Sequence, residues 1–387
     1  MSNICIFNND GFSVIHFRSR LIKDLLDQGH HVTVLVPSSR FDKEIEQLGA
    51  TLKTIPMNRF INPIKDIFLL LRLYLFFKSK RFDIVHNMTI KPNIFGTLIA
   101  HMAGVKCIVC LVPGAGFIFS ESARKSEQFV KVITVFLYRY AMRRVKRVWF
   151  QNQEDMTEFV EKKIICKKQG VVIRSSGVDV DKYDLSNIDP ERSLHWKETF
   201  NVRSRESVVL MVTARLIKSK GVMDFLEAAK ILSNSDVKCK FILIAPSEKN
   251  THDEINPKVF EECNLDNFVY YKEFIDDIHN MISIADIIVL PSYYREGVPR
   301  ILLEGMALSK PLITTNSVGC RETVRHNVNG FLIDPKNSHQ LAENIQNLIQ
   351  NSDLAEAFGV NSRRMAREEF SDTIVSKQVI SELYYFP

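Results

Sequence analysis

Short apolar runs alternate with longer stretches in which apolar residues recur at helical spacing, almost from end to end of the chain. That pattern predicts parallel β-strands, buried on both faces, interleaved with helices. The opening reads as a strand over Asn3–Phe7, a loop over Asn8–Ser13, a helix over Val14–Gln28 and a strand over His31–Val36. Strands at Phe82–His86, Lys106–Val112, Trp149–Gln151 and Val171–Arg174 continue it, with a helix over Ile94–Met102. Residues 176–200 are polar and show neither period, which marks an interdomain connection. A second alternation follows, with strands at Val208–Thr213, Lys240–Ala245, Phe268–Tyr270, Ile287–Leu290, Leu312–Thr314 and Phe331–Ile333. Helices at Val222–Leu232, Asp277–Ala285 and His339–Gln350, and one after Pro299, fall between or after these strands. Two helical stretches, Asp353–Phe370 and Thr373–Tyr385, close the chain, and the final one is expected to pack back on the first half.

The expected fold is therefore α/β, with two domains built on parallel sheets whose carboxyl edges face each other across a ligand cleft. The boundaries read as 1–178, 179–367 and a returning helix over 368–387; a chain of 387 residues is long enough for two full cores. Two stretches of the first half carry unusual apolar content. Residues 60–81 combine leucines and aromatics with Lys78, Lys80 and Arg81, yet Lys65, Asp66 and Arg72 interrupt them, so no run reaches a membrane span. This stretch is either a buried crossover helix or an interfacial helix resting on anionic lipid. The stretch Phe129 to Arg147 places Phe136, Tyr138 and Tyr140 ahead of Arg143, Arg144, Lys146 and Arg147, a mixture suited to a headgroup surface.

Composition narrows the class. Hydrophobic residues at 45% and charged residues at 25% are ordinary for a soluble globular protein. The seven cysteines are odd in number and fall mostly in apolar segments, which together with the lack of a signal-like start points to the cytoplasm. Cys107 and Cys110 have no second pair and lie on opposite faces of one strand, so they do not read as a zinc or redox site. The net charge of +6 is unevenly spread: residues 1–175 hold 27 Lys and Arg against 14 Asp and Glu, and the remainder 24 against 31. A basic first half calls for an anionic partner there, such as a membrane surface, nucleic acid or an acidic acceptor.

Candidate chemistry concentrates in Pro291–Ala307, PSYYREGVPRILLEGMA, where an apolar strand gives way to a helix. Pro299 suits the helix start and Gly297 lets a ligand approach bare backbone. The amides of Gly297, Val298 and Arg300 add to the positive end of the helix dipole, a place for phosphate or for hydroxyls. Glu304 lies inside an apolar helix and needs partners: either an i, i+4 pair with Arg300 or a ligand diol such as a ribose. Upstream, the loop TARLIKSKG sets Arg215 and Lys220 ahead of Gly221 and a helix. The two cations are either solvated or share an anion, and a diphosphate fits the second case. In the first half, Gly11 admits a close neighbour or simply makes a turn. Gly114 and Gly116 mark a strand-end loop, and Lys91 is an exposed loop lysine that either meets an acceptor phosphate or is simply solvated.

With these residues in place, the stretch GVPRILLEGMALSKPLITTNSVGCRETVRHNVNGFLIDP, the E-x7-E spacing of Glu296 and Glu304, and ARLIKSKG resemble glycosyltransferase family 4. The resemblance is close over 207–335 and looser in the first half, where DGF, HNMTIKPNIFG and Pro113–Gly116 are similar to bacterial members that build capsule, O-antigen or lipid-linked oligosaccharides. It implies a GT-B fold of two Rossmann-like domains and a retaining, metal-independent transfer from a nucleotide sugar, with UDP favoured, and no cofactor. On that resemblance Arg215 and Lys220 hold the donor diphosphate, and Glu296 with Gly297, Val298, Pro299 and Arg300 orients the donor sugar. Glu304 holds the ribose, Gly319, Cys320, Arg321 and Glu322 wall the donor site, Phe274 and Ile275 border the base, and Gly11 approaches the donor. Lys91, Gly114 and Gly116 fall to the acceptor side. The implied partners are a lipid-linked saccharide and an anionic membrane met by the first domain, not nucleic acid, with the enzyme on the inner face of the cytoplasmic membrane. Met88 replaces a histidine common at that position, and Ala245–Glu248 replaces a glycine-rich turn. A GT-B sugar-nucleotide epimerase and a non-catalytic membrane-bound partner of a polysaccharide assembly complex are the alternatives.

Overall fold

The structure is a computed structural model that describes residues 1–58, 62–116, 125–248, 253–262 and 267–384. Phe60, Ile61, Cys263 and Tyr385, which enter the expectations above, lie outside the described residues. The chain divides into two compact units, Met1–Gly177 with Asp372–Pro387, and Val178–Ser371.

The first unit carries seven strands: β1 (Asn3–Phe7), β2 (His31–Val36), β3 (Thr51–Thr54), β4 (Ile84–Met88), β5 (Cys107–Val112), β6 (Arg147–Phe150) and β7 (Gly170–Val172). They form one parallel sheet in the order β3-β2-β1-β4-β5-β6-β7. Side-chain alternation splits the sheet's residues between two apolar layers. Ile4, Ile6, Val34, Val109 and Trp149 face helix Gly11–Asp27 and the terminal helix Asp372–Leu383. Cys5, Phe7, Val85, Cys110 and Phe150 face helices Pro63–Lys80 and Lys125–Met142. Cys107 and Cys110 fall in different layers, and both are buried.

The terminal helix is a full member of this unit. Val375, Val379 and Leu383 join the layer with Val14, Leu21 and Ile22, and the Tyr384 hydroxyl lies 2.9 Å from Nδ1 of the buried His86. One end differs from expectation. The first helix starts at Gly11 rather than Val14, because the Asp10 carboxylate caps it by accepting from the Ser13 amide at 2.6 Å.

The second unit carries β8 (Ser207–Val212), β9 (Cys239–Ile244), β10 (Val269–Lys272), β11 (Ile287–Leu290), β12 (Leu312–Thr315) and β13 (Gly330–Ile333). Their parallel order is β10-β9-β8-β11-β12-β13 around a single core. Val178 opens this unit by donating its amide to the Phe370 carbonyl at 2.8 Å. The polar connection is not irregular throughout: Asp189 caps a helix over Pro190–Thr199. In each sheet the strand order reverses at one place, between β1 and β4 and between β8 and β11. In open parallel sheets such switch points leave a crevice at the carboxyl edge where ligands bind.

Candidate functional site

At the switch point of the second unit, β11 runs into the loop 291–299 and then into helix Arg300–Ala307. The loop is stitched on both sides. The Ser219 carbonyl, in the loop after β8, accepts the amides of Tyr293 and Tyr294 at 2.9 Å each. The Ser292 carbonyl accepts the Ser317 hydroxyl at 2.8 Å and the Thr315 hydroxyl, both from the end of β12. Two glycines make this packing possible. Gly221 (φ 78°) and Gly319 (φ 84°) are left-handed, and a Cβ on either would strike the carbonyl oxygen of Pro291 or Gly297.

Within this frame the charges converge. Lys220 Nζ lies 2.6 Å from Glu296 Oε2, and the Ser292 hydroxyl donates to Glu296 Oε1 at 2.6 Å. The Arg215 guanidinium stands 4.8 Å over the Tyr294 ring, and the Lys220 ammonium 5.3 Å from the same centroid. Tyr294 is thus a shared aromatic floor for both cations, a contact worth about 0.5–2 kcal/mol per cation depending on desolvation. The anion expected beside the two cations is supplied for Lys220 by Glu296.

Pro299 occupies the N-cap position of the following helix, with φ −66° and ψ 128°. All residues from Ile301 to Ala307 are buried. The Glu304 carboxylate accepts from Arg300 Nε at 2.5 Å and from the Tyr183 hydroxyl at 2.6 Å, both on Oε1. Oε2 takes part in neither. Burial and the adjacent Glu304 carboxylate hold the Tyr183 hydroxyl well above its usual pKa. Burial works against the charge on Arg300, but Glu304 and Tyr183 together outweigh it and raise its pKa.

Gly297, Val298 and Arg300 therefore gather with Arg215, Lys220, Glu296 and Glu304, and Gly319 backs the same loop. Other expectations need correction. Cys320 is fully buried, its sulfur turned toward the Ser292 carbonyl, so it supports the loop from behind and is not a wall. Ile275 belongs to the core, where its side chain cannot border a base, whereas Phe274 is half exposed beyond β10. Lys91 is not an exposed loop lysine. It sits in a helical turn with its ammonium 2.7 Å from Asp66, because that buried carboxylate demands a counter-charge. Gly11 belongs to the first unit, where a Cβ would crowd the Ser39 hydroxyl. Gly114 and Gly116 flank Ala115, whose amide donates to Asp155 at 3.1 Å. Among the described residues no three His, Cys, Asp or Glu side chains come together as metal ligands.

Comparison with known proteins gives this geometry its context. The model described as "Glycosyl transferases group 1" matches residues 195–365, and that described as "Glycosyl transferase 4-like" matches residues 3–152. The chain is a family 4 glycosyltransferase. This glycosyltransferase is 27% identical over 382 residues to the N,N'-diacetylbacillosaminyl-diphospho-undecaprenol alpha-1,3-N-acetylgalactosaminyltransferase of Campylobacter jejuni, covering 97% of each chain. It is 29% identical to the UDP-Gal:alpha-D-GlcNAc-diphosphoundecaprenol alpha-1,3-galactosyltransferase of Escherichia coli, over 71% of this chain and 68% of that one. Among solved structures, Anabaena HepE in complex with UDP and glucose superposes with a TM-score of 0.81 over 99% of each chain at 20% identity, which shows the GT-B fold.

Three residues of the site were absent from the sequence expectations. Ser292 and Tyr294 lie in the loop already singled out, so their position was the available signal. Tyr183 reaches Glu304 from 121 residues away, and nothing local marks it.

Proposed function

We propose that this glycosyltransferase moves a hexose or N-acetylhexosamine from a UDP-sugar to a lipid-linked saccharide, with retention at the anomeric carbon and without a metal. The carrying observation is the pairing of Arg215 and Lys220 over Tyr294, beside a helix start at the switch point of the second unit. The donor diphosphate lies against these cations and the amides of the 297–300 turn. As the C1–O bond to phosphate breaks, its electron pair leaves with UDP, and Arg215 and Lys220 stabilise the growing charge. The acceptor oxygen bonds to C1 on the same face, and its proton passes to the departing phosphate oxygen. Glu296, aligned by Ser292, orients the sugar's hydroxyls, and Glu304 Oε2 takes the ribose.

UDP is favoured because HepE was crystallised with UDP and glucose, and a lipid-linked acceptor because the names of both bacterial relatives contain a diphospho-undecaprenol. A metal is unnecessary where two cations and a helix dipole already face the diphosphate. The basic first unit meets an anionic membrane on its cytoplasmic side; no described helix is long and apolar enough to cross one. In turnover assays with UDP-sugars and undecaprenyl-linked acceptors, Arg215→Ala and Lys220→Ala each lower kcat at least about tenfold while the protein stays folded. Near-native turnover in both variants removes the assignment.

A further inference from the structure

Two helices of the first unit, lying on the same face of its sheet, expose the same apolar pattern. Helix Pro63–Lys80 buries Leu69, Leu73 and Phe77 and presents Ile64, Ile67, Phe68, Leu71 and Leu75, each 57–71% exposed. Helix Lys125–Met142 buries Tyr138 and Met142 and presents Phe129, Val132, Ile133, Phe136 and Tyr140, 38–68% exposed. Both sets repeat at i, i+3, i+4, i+7 and i+11, so each makes one continuous stripe along its helix. Packing within the unit already uses the opposite stripe, so these faces contribute nothing to the core. Their combined apolar extent is unusual for a surface that meets only water.

The exposed charges beside the first stripe are basic. Lys65 and Arg72 flank the first stripe, and Lys78, Lys80 and Arg81 are exposed at its end. Asp66, the one acid of that helix, is turned inward onto Lys91. The second stripe ends at Tyr140, with the Arg144 guanidinium 4.1 Å over its ring. Directly beyond lies an open cavity of about 960 Å³ into which Arg143, Lys146, Arg147, Lys163 and Lys168 converge, with no acidic residue in its lining. Its floor is rigid: Gln169 donates to the carbonyls of Met142 and Val145 at 2.8 and 2.6 Å. Five cations around one cavity give it a positive potential that draws anions.

We propose that the two stripes and this cavity form one docking surface for a bilayer containing anionic lipid. The ten apolar side chains enter the headgroup–acyl boundary, and the cavity takes lipid phosphates. The assignment deepens the lipid-linked acceptor reading above and rests on it for its purpose, although the geometry belongs to the first unit alone.

The test is flotation of the full chain with vesicles of phosphatidylglycerol and phosphatidylcholine, and with phosphatidylcholine alone, at low and high salt. Wild type floats with the mixed vesicles and less with the neutral ones. The pairs Phe68→Ser with Leu71→Ser, and Phe136→Ser with Tyr140→Ser, each weaken binding about tenfold or more. Lys163→Gln with Lys168→Gln removes most of the preference for anionic vesicles and its salt sensitivity. All variants keep the wild-type affinity for UDP and an unchanged melting curve. No flotation of wild type, or equal flotation of the stripe variants, overturns the proposal. So does light scattering that shows the stripes closing a dimer of this chain in place of vesicle binding. A chain that floats but neither binds UDP nor turns over leaves the surface standing and removes the catalytic reading; one that turns over without floating does the reverse.

Discussion

Glu304 shows how single residues set this site. A carboxylate inside a buried helix costs several kcal/mol unless compensated. Here Arg300 supplies the charge and Tyr183 a second donor, both at one oxygen. Tyr183→Phe removes one charge-assisted bond worth about 1.5–3 kcal/mol while keeping the ring. The expected outcome is a lower melting temperature for the second unit and a raised KM for the donor with kcat nearly kept. Such a split marks lost ground-state binding. An unchanged KM would separate Tyr183 from the donor. The sequence made the Arg300 pair visible through its i, i+4 spacing. It left Tyr183 invisible, since a contact across 121 residues carries no periodic signal.

At the scale of elements, loop 291–299 is a rigid part held by its neighbours. Gly319 carries much of that constraint, because its left-handed backbone lies against the Gly297 carbonyl. In Gly319→Ala the strained φ alone costs about 1 kcal/mol, and the methyl displaces the 296–297 turn as well. UDP affinity is expected to fall about tenfold or more by calorimetric titration, a larger effect than the loss in stability. A variant that binds UDP like wild type shows that the turn is not part of the nucleotide site. Elements were legible in the sequence wherever burial imposed a pattern. Most central strands were legible because parallel strands covered on both faces are largely apolar, but β4 runs Ile84–Met88, two residues later than expected, since it carries the buried polar His86 and Asn87. β3 escaped notice because TLKT lies at a sheet edge and is mostly exposed. Helix Pro190–Thr199 escaped because none of its residues is buried, although Asp189 before Pro190 is an N-cap signature. Cys320 and Ile275 were misplaced for the converse reason: a motif gives position along the chain but not which way a side chain turns.

The whole molecule has separate apolar cores for its two units, and each core carries its own lever on stability. In the first, His86 is fully buried between Tyr384, Trp149 and Arg18. Burial, helped by the Arg18 charge, lowers its pKa from 6.5 to about 3. Between those values the unfolded chain binds a proton that the folded one refuses, so stability falls as pH drops from 6.5 toward 3. His86→Asn should flatten that acid limb in thermal melts run from pH 7 to 4; parallel limbs in both proteins would remove His86 as the cause. In the second unit the lever is the ligand. A nucleotide that binds only the folded form stabilises by RT ln(1 + [L]/Kd), about 2.7 kcal/mol at a hundredfold excess over Kd. If UDP lies against Arg215, Lys220 and the 297–300 turn, that increment belongs to Val178–Ser371. Calorimetry with excess UDP should then raise the transition of this unit and leave the other, which the acid limb of His86 identifies, in place. Lys220→Ala should cancel most of the rise. Equal displacement of both transitions would mean that nucleotide contacts extend to the first core, and the donor site would have to be redrawn across both.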